Sequence, residues 1–368
     1  MRTALPTLIS RKIRELYHGK LAVGDRLPSE RLLARKFEVS LPTLREALAL
    51  LAQEGWIKRR QGSGNYIARP EQESRHIAIL MEMDFAAKSL SSSAVATALR
   101  LKRRLEEQGR PFKLYFGDRT PHDLEHRMLC REFLHDVEHQ KIKAVVAIAA
   151  LAAEDWMKPL AQQGVPIIGP NSFFDLHLTI NRERWIAQAV AYLKSHGKRR
   201  IGLVYWNGNR PLNPGMLSYG AIFEAALKKE GLEFDADLVR SDLHPSLDGS
   251  GWEAFREIWL RDRAERPEGM IITDEMLFES GLRAIADQQL HLPDDLLIAA
   301  LTSNFQTGRD WERAARFEWS VEQKVDLTLR ALDLPPSAYP ATLEVPLTLR
   351  FPQPSPRRRL HDLSTHSP

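Results

Sequence analysis

Residues 24–68 read GDRLPSERLLARKFEVSLPTLREALALLAQEGWIKRRQGSGNYIA. Ser29 stands directly before ERLLARKF, where its hydroxyl oxygen can accept from a first-turn N–H that has no partner inside the helix. The spacing predicts a short helix with Leu32, Leu33 and Phe37 facing inward. Ser40 can cap the next helix, LPTLREALALLAQEG, which tolerates Pro42 because early helix N–H groups are unpaired in any case. Leu44, Leu48 and Leu51 form its apolar stripe, and Gly55 ends it. WIKRRQGSGNYIA then alternates and turns at Gln61–Gly64, the pattern of a β-hairpin. Upstream, Leu5, Leu8, Ile9, Ile13 and Leu16 lie on one face of a further helix over Leu5–Tyr17, broken by Gly19 and Gly24. Three short helices followed by a hairpin make a winged helix-turn-helix.

That shape implies a chemistry. The third helix has the dimensions of the DNA major groove, with its N-terminal side chains at base edges. Thr43 and Arg45 lie in its first turn or so. An arginine can fork to guanine O6 and N7, and a threonine can meet phosphate, a base edge or a thymine methyl. Arg31 is placed for phosphate, and Lys58, Arg59 and Arg60 charge the hairpin wing. The overall charge of +4 hides an asymmetry, since residues 1–70 hold 14 Lys/Arg against 6 Asp/Glu and the rest of the chain is net acidic. A basic head on a mildly acidic body points to an anionic partner for the head alone. Nucleic acid leads; an anionic membrane is the competitor, and a solvated basic surface is the bland alternative for each residue taken singly.

The chain has 368 residues, enough for two or three domains, and its 43% hydrophobic and 27% charged content is that of a globular protein. That composition excludes collagen-like, wholly disordered and membrane-channel classes, and no apolar run approaches the roughly 18–20 residues of a membrane span. The N-terminus has no apolar run before a small-residue cleavage site, and the single cysteine, Cys130, excludes an intrachain disulfide or a Cys-rich zinc module. A cytoplasmic location is expected.

Beyond the head, RPEQESRH (69–76) lacks apolar periodicity and reads as a linker. We divide the chain into a winged helix-turn-helix at 1–69, a linker at 70–76, a two-lobed body at 77–351 and a Pro/Ser-rich, basic tail at 352–368 expected to be disordered. In the body, continuous apolar runs of strand length recur at 77–83, 112–117, 144–150, 165–169, 200–206, 269–273 and 296–301. Helical patterns fall at 93–108, 122–139, 154–163, 182–196, 215–230, 251–263 and 275–289. Continuous rather than alternating apolarity means burial on both faces, as in parallel sheets. The alternation of strand and helix predicts α/β architecture, two doubly wound Rossmann-like subdomains with a ligand cleft at the C-terminal strand ends.

Residues 5–68 resemble the DNA-binding domain of the GntR family of bacterial transcription regulators, on the strength of the run quoted above. The resemblance implies operator contacts at Arg31, Ser40, Thr43, Arg45 and Gly62, with Gln61 in the wing-tip position before that glycine. Leu41–Pro42 departs from the commoner Ser-Arg-x-Thr pattern. In the body, VPIIGPN (165–171), TINRERWIAQAVAYLKSHGKRRIGLV (179–204), GMIITDEMLFESGLRAI (269–285) and LPDDLLIAALTSNF (292–305) are similar in order to the type I periplasmic-binding-protein fold of LacI-type repressors. A GntR head on such a body is the architecture of the arabinose-type repressors. The resemblance places ligand residues at Phe85, Asn181, Tyr205, Trp206, Asp274 and Asn304. Each has a structural alternative: Asp274 can cap the helix beginning near 275, and Phe85 and Tyr205 can be core. An arginine common before the helix near 216–230 is missing from LNPGMLSYGAIFEAAL, which leaves a non-sugar effector open.

Other constellations carry less. His122, His126 and Cys130 share helical spacing, repeated by His135 and His139, but there is no HExxH pattern and a polar solvated face explains them. There is no GxSxG elbow, no phosphate loop and no context for a Schiff-base lysine. The expectation is a non-enzymatic, cofactor-free, homodimeric repressor that binds double-stranded operator DNA and, in its interlobe cleft, a small molecule such as a sugar, with no membrane partner. Two alternatives are a DNA-tethered enzyme and a ligand-free dimerisation scaffold.

Overall fold

The computed structural model describes residues 5–17, 20–22, 24–53, 55–60, 63–68, 75–83, 91–119, 128–150, 154–206, 217–241, 244–245, 247–305 and 310–353. The chain separates into two compact units, Met1–Arg75 and His76–Pro368. Most of the expected linker and the tail from 354 onward lie outside the described residues.

In the first unit, α1 (Leu5–Tyr17), α2 (Glu30–Lys36) and α3 (Leu41–Gln53) precede a hairpin of β1 (Ile57–Arg60) and β2 (Gly64–Ile67). The Ser29 hydroxyl accepts from the Leu32 N–H at 3.4 Å and starts α2. Ile13, Leu33, Leu44, Leu48 and Leu51 are fully buried together, joined by Ile9, Leu27, Trp56, Ile57 and Ile67. Leu32 does not face inward as expected: it is 56% exposed. A seven-residue helix buries a narrow stripe, here Leu33 and Ala34, and Leu32 falls beside it. The hairpin pairs Ile57 with Ile67 and Arg60 with Gly64, and Gly64 takes φ +115°, a conformation that a side chain disfavours.

The second unit holds two sheets. The first lobe runs β3 (His76–Met83), α4 (Ser92–Glu107), β4 (Phe112–Arg119), α5 (Arg131–Glu138), β5 (Ile142–Ala149), α6 (Glu154–Gln162), β6 (Ile167–Gly169) and β7 (Leu176–Thr179). The second runs α7 (Arg182–Ser195), β8 (Ile201–Val204), α8 (Tyr219–Lys229), β9 (Val239–Arg240), α9 (Ser250–Trp259), β10 (Gly269–Ile272), α10 (Glu275–Asp287), β11 (Leu297–Ser303) and β12 (Ala315–Trp319). The chain then returns through α11 (Val321–Asp333) and β13 (Thr342–Glu344) to the first lobe, and ends with β14 (Leu347–Arg350) on the second. The strand orders are β13-β7-β6-β5-β3-β4 and β14-β12-β11-β10-β8-β9. Pairing is parallel except between β12 and β14. Each lobe is therefore doubly wound, with helices on both faces. In the second lobe, α7 and α8 bury Trp185, Leu193 and Phe223 against one face of the sheet, while α9 and α10 bury Phe255, Ile258 and Phe278 on the other. In the first, Phe133 and Trp156 cover one face, and α4 with α11 covers the other through Leu101, Leu105, Val325 and Leu329.

The first lobe also contains a buried charged network. Asp136 accepts from the Lys113 ammonium at 2.7 Å and from the Tyr115 hydroxyl at 2.7 Å, and lies 3.2 Å from His135 Nδ1. Burial by itself would push its carboxyl up. The hydrogen bonds from Lys113, Tyr115 and His135 outweigh that and hold it well below the usual carboxylate range.

Several elements were not expected from the sequence: β7, β9, β12, β13, β14 and α11. The strands β13 and β14 alternate exposed and half-buried residues at a sheet edge, and β12 carries Arg316 and Glu318, which interrupt its apolar run. Those charges are buried because they pair, Arg316 to Glu318 at 2.8 Å and Glu318 to Arg350 at 3.0 Å. The helix expected over 122–139 is described only as α5, Arg131–Glu138. His122 and His126 lie outside the described residues. Cys130 is buried, and His135 stacks on His139 with ring centroids 4.1 Å apart. Among the described residues no three metal-ligating side chains converge, and no helix is long and apolar enough to cross a membrane.

Candidate functional site

Two places concentrate chemistry, one in each unit. In the head, α3 begins at a compact cap. The Ser40 hydroxyl accepts from the Thr43 N–H at 3.3 Å and is 2.7 Å from the Thr43 hydroxyl. These two expected contact residues thus shape the start of the helix as well as facing outward. Arg45 is well exposed, and its Nε donates to Glu30 Oε2 at 2.9 Å. That bond braces the side chain from α2 and leaves its two terminal nitrogens unpaired among the described residues, a fork held clear of the surface. Arg59 of the wing donates to the Arg45 backbone carbonyl at 2.9 Å, so this residue also locks wing to helix. Arg31 and Lys58 are exposed. Gln61 and Gly62 lie outside the described residues.

Sequence reading missed Arg26. It forms a β-bridge with Tyr66, and its guanidinium packs against Gly64. With Arg59 and Arg60 it lines a groove of about 410 Å³ between the start of α2 and the wing. Arg60 lies 4.6 Å from the Tyr66 ring centre, a cation–π contact that stiffens the wing. Only its approach to the hairpin in space brings Arg26 here, so no local pattern could have shown it.

In the body, the C-terminal ends of the parallel strands of both lobes meet at a cavity of about 190 Å³. Its walls include Ser91 and Ser93 at the start of α4, Asp274 and Glu275 at the start of α10, Trp319 at the end of β12 and Lys324 on α11. Asp274 caps α10: its Oδ1 accepts from the N–H groups of Met276 and Leu277 at 2.8 and 3.2 Å. Burial, with repulsion from Glu275 next to it, pushes its carboxyl up to about 6 against the pull of those two N–H groups. Glu275 joins the lobes, accepting from the Ser93 hydroxyl across the cleft and from the Ser303 N–H at 3.2 Å. Lys324 lies 4.8 Å from the Trp319 ring centre. Burial pushes its ammonium down to about 8, an effect that Glu275 partly offsets.

Of the expected ligand residues that are described, the structure brings Asp274 alone into this cavity, in the capping role given as its alternative. Asn181 caps α7 through the Arg184 N–H at 2.9 Å and donates to Glu344 at 2.8 Å, so both ends of its amide are engaged elsewhere. Asn304 accepts from the Val321 N–H at 3.1 Å. Tyr205 is buried in the core, its ring 6.2 Å from that of Tyr219. Trp206 packs against His244 at 4.2 Å. Phe85 lies outside the described residues. Glu275 was passed over although it directly follows Asp274, and Trp319 and Lys324 were missed because α11 belongs to the first lobe while β12 before it belongs to the second, and no sequence spacing reveals such a crossing.

Residues 8–67 match the bacterial regulatory proteins of the gntR family, and residues 190–309 match the periplasmic binding protein-like domain. The chain therefore joins a winged helix-turn-helix that matches the gntR-family model to a two-lobed body, part of which matches the periplasmic binding protein-like domain. It is similar over its head to an arabinose metabolism transcriptional repressor of Geobacillus stearothermophilus, with 35% identity over 57 residues, 16% of each chain. The similarity to an arabinose metabolism transcriptional repressor of Halalkalibacterium halodurans runs over 297 residues at 22% identity, covering 79% of this chain and 76% of that one. Several other curated relatives are matched through the head, over 22–27% of their own length. The solved structure of the transcription regulator CcpA of Lactococcus lactis shares the fold of the body, with a TM-score of 0.57 at 12% identity over 76% of this chain and all of that one.

Proposed function

We propose that the chain is a sequence-specific DNA-binding transcription regulator, a repressor, that acts as a homodimer on a palindromic operator and is controlled by a small molecule in the interlobe cleft. The observation that carries this reading is the pairing, in one chain, of an exposed recognition helix with a polar cavity at the C-terminal ends of two parallel sheets. Ligands of open α/β sheets bind at such ends. The names of the relatives, repressors of arabinose metabolism, support a sugar or related metabolite as effector. Arg31, Thr43, Arg45 and Lys58 with the wing tip at Gln61–Gly62 would meet DNA; Ser40 would hold the helix start in place, and Arg59 the wing. Phosphate contacts provide much of the affinity, so binding weakens steeply with salt. Ligand controls the heads to the extent that it prefers one lobe arrangement, and a coupling of about 1–3 kcal/mol gives substantial control.

The test has two parts. Selection from random duplexes should enrich a palindrome. A thermal-shift screen of the full chain against sugars, sugar acids, polyols and nucleosides should show one class that stabilises it and changes its affinity for that palindrome. A ligand at 100 times its Kd adds about 2.7 kcal/mol. A chain that enriches no sequence, or one whose DNA affinity no stabilising compound alters, refutes the reading.

A further inference from the structure

The cleft contains two charged groups of opposite sign whose polar atoms are not fully engaged, and together they describe a ligand. Lys324 Nζ rests over the Trp319 ring and has no hydrogen-bond acceptor among the described residues. Both hydrogen bonds to Asp274 end on Oδ1, and Oδ2 has no donor among those residues. Glu275, the other charged group beside Lys324, already holds the Ser93 hydroxyl and the Ser303 N–H, one on each oxygen. Ser91 is engaged too, accepting from the Ala94 N–H at 3.1 Å.

An ammonium without an acceptor in a partly desolvated cleft is stabilised by an anion, and a carboxylate without a donor by a hydroxyl. A neutral polyol would satisfy Asp274 and could offer Lys324 a hydroxyl oxygen, but not the opposite charge that makes the stronger hydrogen bond. An amine would suit the carboxylates of Asp274 and Glu275 but leave Lys324 without an acceptor. The cavity, at about 190 Å³, is smaller than the roughly 300 Å³ at which pockets for drug-sized ligands begin, so the ligand is compact. We propose that the effector is a polyhydroxylated carboxylate of sugar size, its acid group on Lys324 Nζ and a hydroxyl on Asp274 Oδ2. This inference rests on the reading of the cleft as the effector site.

Calorimetric titration of the full chain with the five- and six-carbon aldonates and with the alditols of matching configuration tests it, because each pair differs only in carboxylate against hydroxymethyl. One aldonate should bind at least tenfold tighter than its alditol, a difference of about 1.4 kcal/mol. Lys324→Met should abolish that preference. It should also leave the melting temperature of the unliganded protein equal or higher, whereas a purely structural lysine would lower it. Equal binding of aldonate and alditol, binding of neutral aldoses alone, or a preference that survives in Lys324→Met overturns the acid assignment and leaves the cleft as effector site. Binding of neither class overturns the acid assignment, and if the wider screen is silent as well, the effector-site reading falls with it.

Discussion

Asp274→Asn is the most informative substitution in the body. The carboxylate caps α10 through Oδ1, and an asparagine oxygen caps about as well. The substitution therefore removes charge while keeping the cap. In the folded protein this carboxyl is raised from 3.8 to about 6 by burial and by Glu275. A group raised in the folded state contributes its full stability below the unfolded value and loses it as pH rises through the folded one. Two pKa units at about 1.36 kcal/mol each give about 3 kcal/mol, and the partial solvent access of the side chain reduces this to about 1–2 kcal/mol. At pH 7.5 Asp274→Asn should thus be more stable than the parent, with the body melting higher by several degrees, given about 2–4 °C per kcal/mol for a domain somewhat smaller than this one. The gain should shrink steadily as pH falls from 6 to 4. Melting curves of the full chain and the variant across that range, without ligand, are the assay. An equal or lower melting temperature for the variant at pH 7.5, or a gain that does not vary with pH, would show that the carboxylate is not held at a cost and would refute the reasoning. The same substitution should weaken effector binding, so stability and binding move in opposite directions.

The other predictions concern single contacts. Arg45→Ala should weaken operator binding by about 1–3 kcal/mol, measured by fluorescence anisotropy, while effector affinity in the body stays unchanged; a parallel loss of effector binding would count against separate roles for the two units. Asp136→Asn should destabilise the body by about 3 kcal/mol near pH 7, because it leaves the Lys113 ammonium without its buried partner. The Asp136 carboxyl is depressed, so its contribution is present above about 3.8 and disappears as pH falls further; denaturation curves should show the variant and parent converging in acid. At Gly251 an added Cβ would overlap the Leu277 backbone carbonyl. Gly251→Ala should force α9 and α10 apart and cost several kcal/mol by chemical denaturation, and a variant as stable as the parent would mean that the helix crossing gives way easily.

The head was legible almost residue by residue. Its helices are short, their caps are local, and its core repeats at helical spacing, so Ser29, Ser40, Leu44, Leu48 and Leu51 sit where the pattern puts them. Leu32 was misjudged because periodicity in a seven-residue helix does not define a face narrowly. In the body, strands buried on both faces announced themselves as unbroken apolar runs. The edge strands β13 and β14 and the charged strand β12 did not, since their burial depends on partners far along the chain.

The amino-acid sequence by itself determined a basic winged helix-turn-helix joined to a two-lobed α/β body, because both rest on local periodicity, capping and apolar runs that neighbouring residues impose. What only the tertiary structure decided is the cleft. Asn181, Asn304, Tyr205 and Trp206 are engaged in caps and packing, while Trp319 and Lys324 arrive beside Asp274 and Glu275 from β12 and α11. Those elements meet because the chain crosses between the lobes after β7, after β12 and after β13. A crossing of that kind is settled by the packing of whole sheets and helices, and no spacing of residues along the chain encodes it.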